Sequence, residues 1–315
     1  REFPQLQGKV YGKDLVWLDN AATSLRPRCV LEKWNAMSVE KNSNLHRAVH
    51  HTAAVATQEY EAARDAVSAA VGASSREEIV FTSGATASLN LLAFSLGELL
   101  FHEGDEVIVS EAEHHSNIVP WQMMCSRKGA SLKVLPVDED GRLEVEKLPE
   151  LITPVTKAVC VTHVSNVLGI VNPIRRIACH AAGVLLAVDG AQGIVHCPVD
   201  VSALGCDFYA FSGHKVYAAP GTGVLYGRKD LLDRMPPMFG GGEMIDTVRW
   251  SGTTYAPVPQ KFEAGTQNIS GTPTLVEALE LASQMRGSGS DAVRDYVLDA
   301  LLSDPSVRLY GVPED

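Results

Sequence analysis

From residue 78 onward the chain repeats one pattern: a short apolar run rich in β-branched residues, a polar turn, then a longer stretch whose apolar positions recur at helical spacing. The runs are EIVFTS (78–83), EVIVS (106–110), LKVLPV (132–137), AVCVTH (158–163), VLLAVDG (184–190), DFYAFS (207–212) and GVLYG (223–227). Helical spacing is clearest in SLNLLAFSLGELL (88–100), which follows the first run directly, and in QEYEAARDAVSAAVG (58–72), which ends on a glycine stop. Strands alternating with helices predict an α/β fold, a mostly parallel seven-stranded sheet with helices on both faces. From Thr274 the text changes to helix and then to SVRLYGVPED (306–315), which reads as a strand and turn. The expected division is an N-terminal segment at 1–20 that packs with a small domain, a large domain at 21–273, and the start of an incomplete, smaller α+β C-terminal domain at 274–315.

Composition narrows the function classes. A chain of 315 residues that is 45% hydrophobic can bury a substantial core. Its net charge of -11 is spread along the chain with no basic stripe, which argues against nucleic acid as a partner. No apolar run is long enough to span a bilayer and no signal segment opens the chain, so a cytoplasmic location with no membrane partner is expected. Cys29, Cys125, Cys160, Cys179, Cys197 and Cys206 are scattered, with neither a CxxC pair nor zinc-like spacing, and are read as reduced thiols with no metal. The first residue is Arg1, so the chain is expected to begin inside a longer gene product.

In an open parallel sheet, ligands gather at the carboxyl ends of the strands. There the sequence places Gly84 and Thr86 at a helix start able to hold an anion, then Glu113, His114 and His115, then His163, Ser165 and Asn166. Asp189 and Gln192 follow the fifth run, and Ser212, His214 and Lys215 the sixth. Singly, each has an ordinary reading: a helix cap, a turn-forming aspartate, a polar loop, a surface lysine. Their joint arrival on one sheet edge supplies the chemistry of pyridoxal 5'-phosphate. A partly desolvated lysine can form a Schiff base with an aldehyde, and an aspartate can keep a pyridine nitrogen protonated so that the ring accepts electrons. A flat His114 can stack on that ring, while the Gly84/Thr86 helix start, Ser212 and His214 take the phosphate.

The motifs LDNAAT (18–23), NLHRAVH (44–50), EAEHHSNIVPWQ (111–122), THVSNVLG (162–169), VDGAQG (188–193), DFYAFSGHK (207–215) and FEAGTQN (262–268) closely resemble those of the cysteine desulfurases of the class V aminotransferase group. They are most similar to the SufS/CsdA type, which also acts on selenocysteine and cysteine sulfinate. The resemblance runs from about Phe3 to about Ala278. It implies a pyridoxal-phosphate-dependent transferase of fold type I that converts L-cysteine to L-alanine and passes the sulfur on as an enzyme persulfide to a small acceptor protein serving iron–sulfur cluster assembly. By the same resemblance Lys215 holds the cofactor and moves the substrate's α-proton, Asp189 pairs with the pyridine nitrogen, His114 stacks, and Gln192 reaches the phenolic oxygen. Thr86, Ser212 and His214 hold the phosphate with Thr266 from a second subunit, so a homodimer is implied, and Asn166 helps bind the substrate carboxylate. Glycine-rich FGGGEMI (239–245) resembles the flexible stretch near the active-site mouth; by itself it reads as an ordinary loop.

Two departures from the family pattern qualify this. Ala85 and Ala87 stand where a threonine and a glutamate are expected, which weakens one phosphate contact. The family's nucleophilic cysteine, in an Arg-x-Gly-x-x-Cys setting, and its carboxylate-clamping arginine are absent from the motifs present and are expected outside this chain; the six cysteines here read as structural. Two other readings stay open: a class V aminotransferase, epimerase or lyase with no cysteine nucleophile, and a non-catalytic fold relative that binds partners.

Overall fold

The computed structural model describes residues 2–46, 49–286 and 290–311. A hairpin of β1 (Lys9–Val10) and β2 (Lys13–Asp14) precedes the central strands β3 (Ile79–Thr82), β4 (Glu106–Ser110), β5 (Ser131–Leu135), β6 (Thr156–Thr162), β7 (Leu185–Asp189), β8 (Phe208–Ser212) and β9 (Gly223–Gly227). These form one seven-stranded sheet in the order β3-β9-β8-β7-β6-β4-β5. Strands β5, β4, β6, β7 and β8 run parallel, while β9 is antiparallel to both β3 and β8. All seven runs read from the sequence are strands. The runs are largely apolar because both faces of a covered sheet are buried, except at the edge strand β5, where Ser131 and Val134 are exposed and Lys133 is half-buried.

Alternate residues of each strand enter two different cores, as the two-residue strand period requires. Val80, Val107, Val109, Cys160, Phe208 and Leu225 face helices α3 (Ala85–Leu100) and α4 (Val119–Lys128). Ile79, Phe81, Ile108, Val159, Val188 and Phe211 lie in the other core, which also takes the buried face of α2 (His51–Val71) and Val30 of α1 (Arg28–Val39). Helix α2 begins earlier than the spacing of its large residues suggests: Ala53 and Ala56 carry its buried face, and the His50 ring accepts the Ala53 N–H at 3.3 Å to cap it. It stops at Gly72, whose left-handed backbone (φ 67°) closes the last turn.

Past the sheet, a second hairpin of β10 (Ile245–Arg249) and β11 (Gly252–Tyr255) stands on the surface with Trp250 fully exposed at its tip. The helix Leu275–Met285 buries Leu275, Ala278, Leu279 and Ala282 in the same core as α2. The strand expected in SVRLY (306–310) does not form: the stretch is turn and irregular chain, mostly exposed, with no strand beside it among the described residues. Residues 312–315 of that motif, 287–289 before it, and Arg47 and Ala48 of NLHRAVH lie outside the described residues.

Candidate active site

The strand order turns over between β4 and β6: from β4 the chain steps outward to β5, then returns to β6 on β4's other side. Such a switch point opens a crevice at the carboxyl ends of the strands. A cavity of about 470 Å³ lies there, lined by Thr86, His114, Asn166, Asp189, Gln192, Ser212, His214 and Lys215 from the sequence-derived set. Gly84 lines an adjoining hollow that shares Thr86, Ser212 and His214 with it. Thr266 is elsewhere, exposed, at a separate hollow beside Tyr60, Phe81 and Glu263.

One end of the cavity is built for an anion. Helix α3 starts at Gly84 with no side-chain cap, so its first N–H groups are left for other partners. One is taken by Ser212, whose Oγ accepts the Ala85 N–H at 2.7 Å. A Cβ on Gly223 would lie 2.3 Å from the Gly84 Cα, so β9 and the start of α3 meet backbone to backbone, and Gly84 holds a φ of 154° that favours glycine. Thr86 Oγ1 and Ser116 Oγ share a hydrogen bond of 2.7 Å, which ties the α3 start to the loop after β4.

The other end pairs an acid with an amine. Burial pushes the Asp189 carboxyl above its usual range, and the nearby Lys215 and His114 pull the other way. Among the described residues the Asp189 side chain accepts one hydrogen bond, from the Ala191 N–H at 3.0 Å, so most of its acceptor capacity is open to a ligand. The Lys215 amine is half-buried, and burial lowers its pKa against the opposing pull of Asp189. The His114 ring accepts the Ser116 N–H through Nδ1 at 3.1 Å, which assigns the proton of the neutral ring to Nε2. Gln192 donates one Nε2 hydrogen to the Ala21 carbonyl at 2.8 Å, leaving the other free to donate. A buried acid suits a pyridine N–H, a half-buried amine suits an aldehyde, and a helix start with hydroxyls and an imidazole suits a phosphate. The donor set therefore fits pyridoxal phosphate.

Three contributions go beyond the roles read from single motifs. Residues 19–26 fold over the FSGHK turn: Ser24 N–H and Oγ donate to the His214 carbonyl at 3.1 and 2.9 Å, and Thr23 Oγ1 pairs with His214 Nδ1 at 3.1 Å. Asp19, Ala21 and Ala22 thereby line the cavity; LDNAAT was legible only as a family motif. Behind Asp189, His163 Nδ1 meets Tyr209 Oη at 2.9 Å, and burial lowers the His163 pKa to about 4, so it stays neutral. A Cβ on Gly190 would lie 2.0 Å from the Tyr209 ring, which is why VDGAQG needs a glycine directly after the aspartate. Lastly, Glu113 is buried beneath the loop that carries His114. No cysteine lines the cavity among the described residues, and burial pushes the thiols of Cys29, Cys125, Cys160, Cys197 and Cys206 up, away from the reactive thiolate.

Comparison with known proteins gives one answer. Residues 16–315 match the family described as aminotransferase class-V. A cysteine desulfurase of Serratia proteamaculans (strain 568) is 44% identical across 99% of this chain and 79% of its own length, and one of Dickeya dadantii (strain 3937) is 45% identical across 98% and 77%. Among solved structures, the cysteine desulfurase CsdA (S-sulfonic acid) from Escherichia coli superposes with a TM-score of 0.87 at 41% identity, covering 96% of this chain and 76% of that one. The apo cysteine desulfurase of Thermococcus onnurineus NA1 does so with a TM-score of 0.82 at 36% identity, covering 86% and 68%.

Proposed function

The chain belongs to the class-V aminotransferase family, in which it stands with the cysteine desulfurases, and from that premise we infer that its cavity binds pyridoxal phosphate and takes sulfur from L-cysteine, leaving L-alanine. The observation that carries this reading is the convergence of Asp189, Lys215 and His114 on one cavity beside the open start of α3. When bound, the cofactor supplies an electron sink for negative charge developed on the substrate's α-carbon.

The chain's own residues do the rest. Asp189, anionic beside a ring N–H, keeps that nitrogen protonated. His114 covers one face of the ring, and Gln192 donates its free N–H to the phenolic oxygen. The α3 start, Thr86, Ser212 and His214 hold the phosphate, joined by Thr266 of a second copy in a homodimer. Asn166 binds the substrate carboxylate. Lys215, its pKa lowered by burial, takes a proton from the α-carbon and returns it. A cysteine thiolate then attacks the substrate sulfur: an S–S bond forms, the Cβ–S bond breaks, its electron pair stays with the carbon, and protonation gives alanine. The cysteines of this chain are not assigned that role. The persulfide sulfur passes on to a small acceptor protein that feeds iron–sulfur cluster assembly, and selenocysteine and cysteine sulfinate are further substrates.

The test is alanine released from L-cysteine by the intact protein and its Lys215→Ala variant, with cofactor absorbance recorded on both. Release by the parent alone supports the reading. Turnover of an amino acid lacking sulfur and selenium, with none of cysteine, would replace the reaction and keep the site.

A further inference from the structure

The switch point of the sheet is bridged by a buried relay of hydrogen bonds that reaches the cavity wall. Trp121 Nε1–H donates to Asn117 Oδ1 at 3.1 Å, Asn117 Nδ2–H donates to Glu113 Oε2 at 2.7 Å, and Glu113 Oε1 accepts the Thr162 N–H at 2.7 Å. Ser110 Oγ, at the end of β4, closes on Glu113 Oε1 as well. All five residues are buried, and Asn117 and Trp121 are fully so. Thr162 lines the cavity and sits directly opposite Asp189 in the register of β6 and β7.

His114 lies inside this bracket. It follows Glu113 and opens the short helical turn His115–Asn117, whose Asn117 N–H donates back to the His114 carbonyl at 2.8 Å. The two ends of the turn, positions 113 and 117, are thus clipped together by one side-chain bond, and position 113 is clipped in turn to the neighbouring strand. We propose that Glu113 is a positioning residue: through the relay Trp121–Asn117–Glu113–Thr162 it fixes the height of the His114 ring over Asp189. Burial, the leading cause, raises the Glu113 pKa to about 8, which agrees with a neutral carboxyl acting as a hydrogen-bonded strut rather than as a charge.

The direction of each bond makes the proposal testable. In Glu113→Gln the new amide can accept from Thr162 only by turning its NH2 group toward Asn117 Nδ2, donor against donor. Flipping Asn117 merely moves the clash to the Trp121 N–H. Adding Asn117→Asp repairs every step, because the amide at 113 then donates to the carboxyl at 117, which still accepts from Trp121. Two readouts are taken in the intact protein. One is the ring 15N signals of His114, assigned by their loss in His114→Asn. The other, which rests on the proposed function, is the affinity for pyridoxal phosphate and the circular dichroism of the bound chromophore.

The expected result is that Glu113→Gln shifts the His114 signals and weakens pyridoxal phosphate binding about tenfold with reduced dichroism, while the double change restores the signals and brings affinity within about threefold of the parent. Unshifted His114 signals in the single variant would overturn the relay, as would a folded double variant that stays as impaired as the single one. If the single variant does not fold, the double variant, with its bonds matched, is expected to fold and to show the parent's His114 signals; failure to do so overturns the proposal. A parent that binds no pyridoxal phosphate removes the functional reading, and the histidine signals still decide the relay.

Discussion

Two corners of this molecule bury carboxyl groups, and they treat them in opposite ways. Under α2, Glu263 meets Arg64 side by side: the guanidinium donates to Oε1 at 2.7 Å and to Oε2 at 3.0 Å, and both side chains are at most 2% exposed. The Phe81 N–H donates to the same carboxylate at 2.7 Å, and Arg64 also reaches the Ile79 carbonyl at 2.7 Å and stacks 4.5 Å over the Phe81 ring. That corner is complete in itself, and Arg64 is held charged far into alkali by its acidic neighbours. At the cavity, Asp189 is as deeply buried but has no guanidinium, and burial raises its pKa; Glu113, whose pKa burial also raises, is instead held within the chain by Ser110, Asn117 and Thr162. A buried charge matched within the chain fastens two elements together. One left for a ligand to match makes a site.

The largest effect that separates the corners is on chemistry. Lys215→Ala removes the cavity's amine and leaves the Arg64–Glu263 corner untouched, so alanine formation from cysteine should fall by at least about a thousandfold with little change in melting temperature. Loss of turnover accompanied by unfolding would mean that Lys215 is structural.

The second effect is on stability and has opposite signs in the two places. Arg64→Met strands Glu263 as an unpaired buried carboxylate and should cost about 3–5 kcal/mol. Asp189→Asn removes a charge that burial opposes, so the cofactor-free protein should be no less stable while its affinity for pyridoxal phosphate falls. Denaturant unfolding of both variants without cofactor checks this; equal destabilisation would erase the distinction.

What the chain announces in advance follows the same divide. The seven sheet strands were legible because a sheet covered on both faces favours apolar runs, interrupted at the edge strand β5 by Lys133, and eight of the residues named for the site do line the cavity because strand ends point there. Arg64 and Glu263 were not legible as a pair: 199 positions separate them, and no periodicity marks a partner that only folding supplies. Glu113 was visible as part of a polar loop, but its bond to Thr162, 49 positions away, exists only because β4 and β6 become neighbours across the switch point. The strand read into 306–310 failed for the converse reason: Val307 and Tyr310 suit a strand, yet a strand needs a neighbour.

Titration gives the third contrast. Glu61, paired with Arg64, Arg76 and His46, has a pKa lowered to about 2 against the opposing effect of its burial. With its folded pKa below the unfolded one, it stabilises the protein above about pH 4.5, and that contribution is lost as pH falls toward 2. Glu113 runs the other way. Its folded pKa of about 8 lies above the unfolded value, so its contribution is full below about pH 4.5 and is lost as pH rises toward 8, by up to about 1.4 kcal/mol per pH unit. Glu113→Gln should flatten the stability profile between about pH 4.5 and 8, and Glu61→Gln between about pH 2 and 4.5. Identical profiles for the two variants would contradict the assignment.

The smallest expected effect falls where the cavity borrows a structural bond. Ser212 Oγ accepts the Ala85 N–H at the start of α3, so its hydroxyl hydrogen can still turn to an anion. Ser212→Ala leaves one backbone N–H without that partner and removes one donor to a phosphate, each worth about 1 kcal/mol. The two losses need not appear together. With an anion bound, the freed Ala85 N–H can join the other open N–H groups of α3 in facing it, so part of the lost affinity is recovered; without one, only water can take its place. Ser212→Ala should therefore weaken pyridoxal phosphate about three- to tenfold while weakening pyridoxal, which lacks the phosphate, hardly at all. Equal weakening of both ligands would move Ser212 from the anion end of the cavity to its frame.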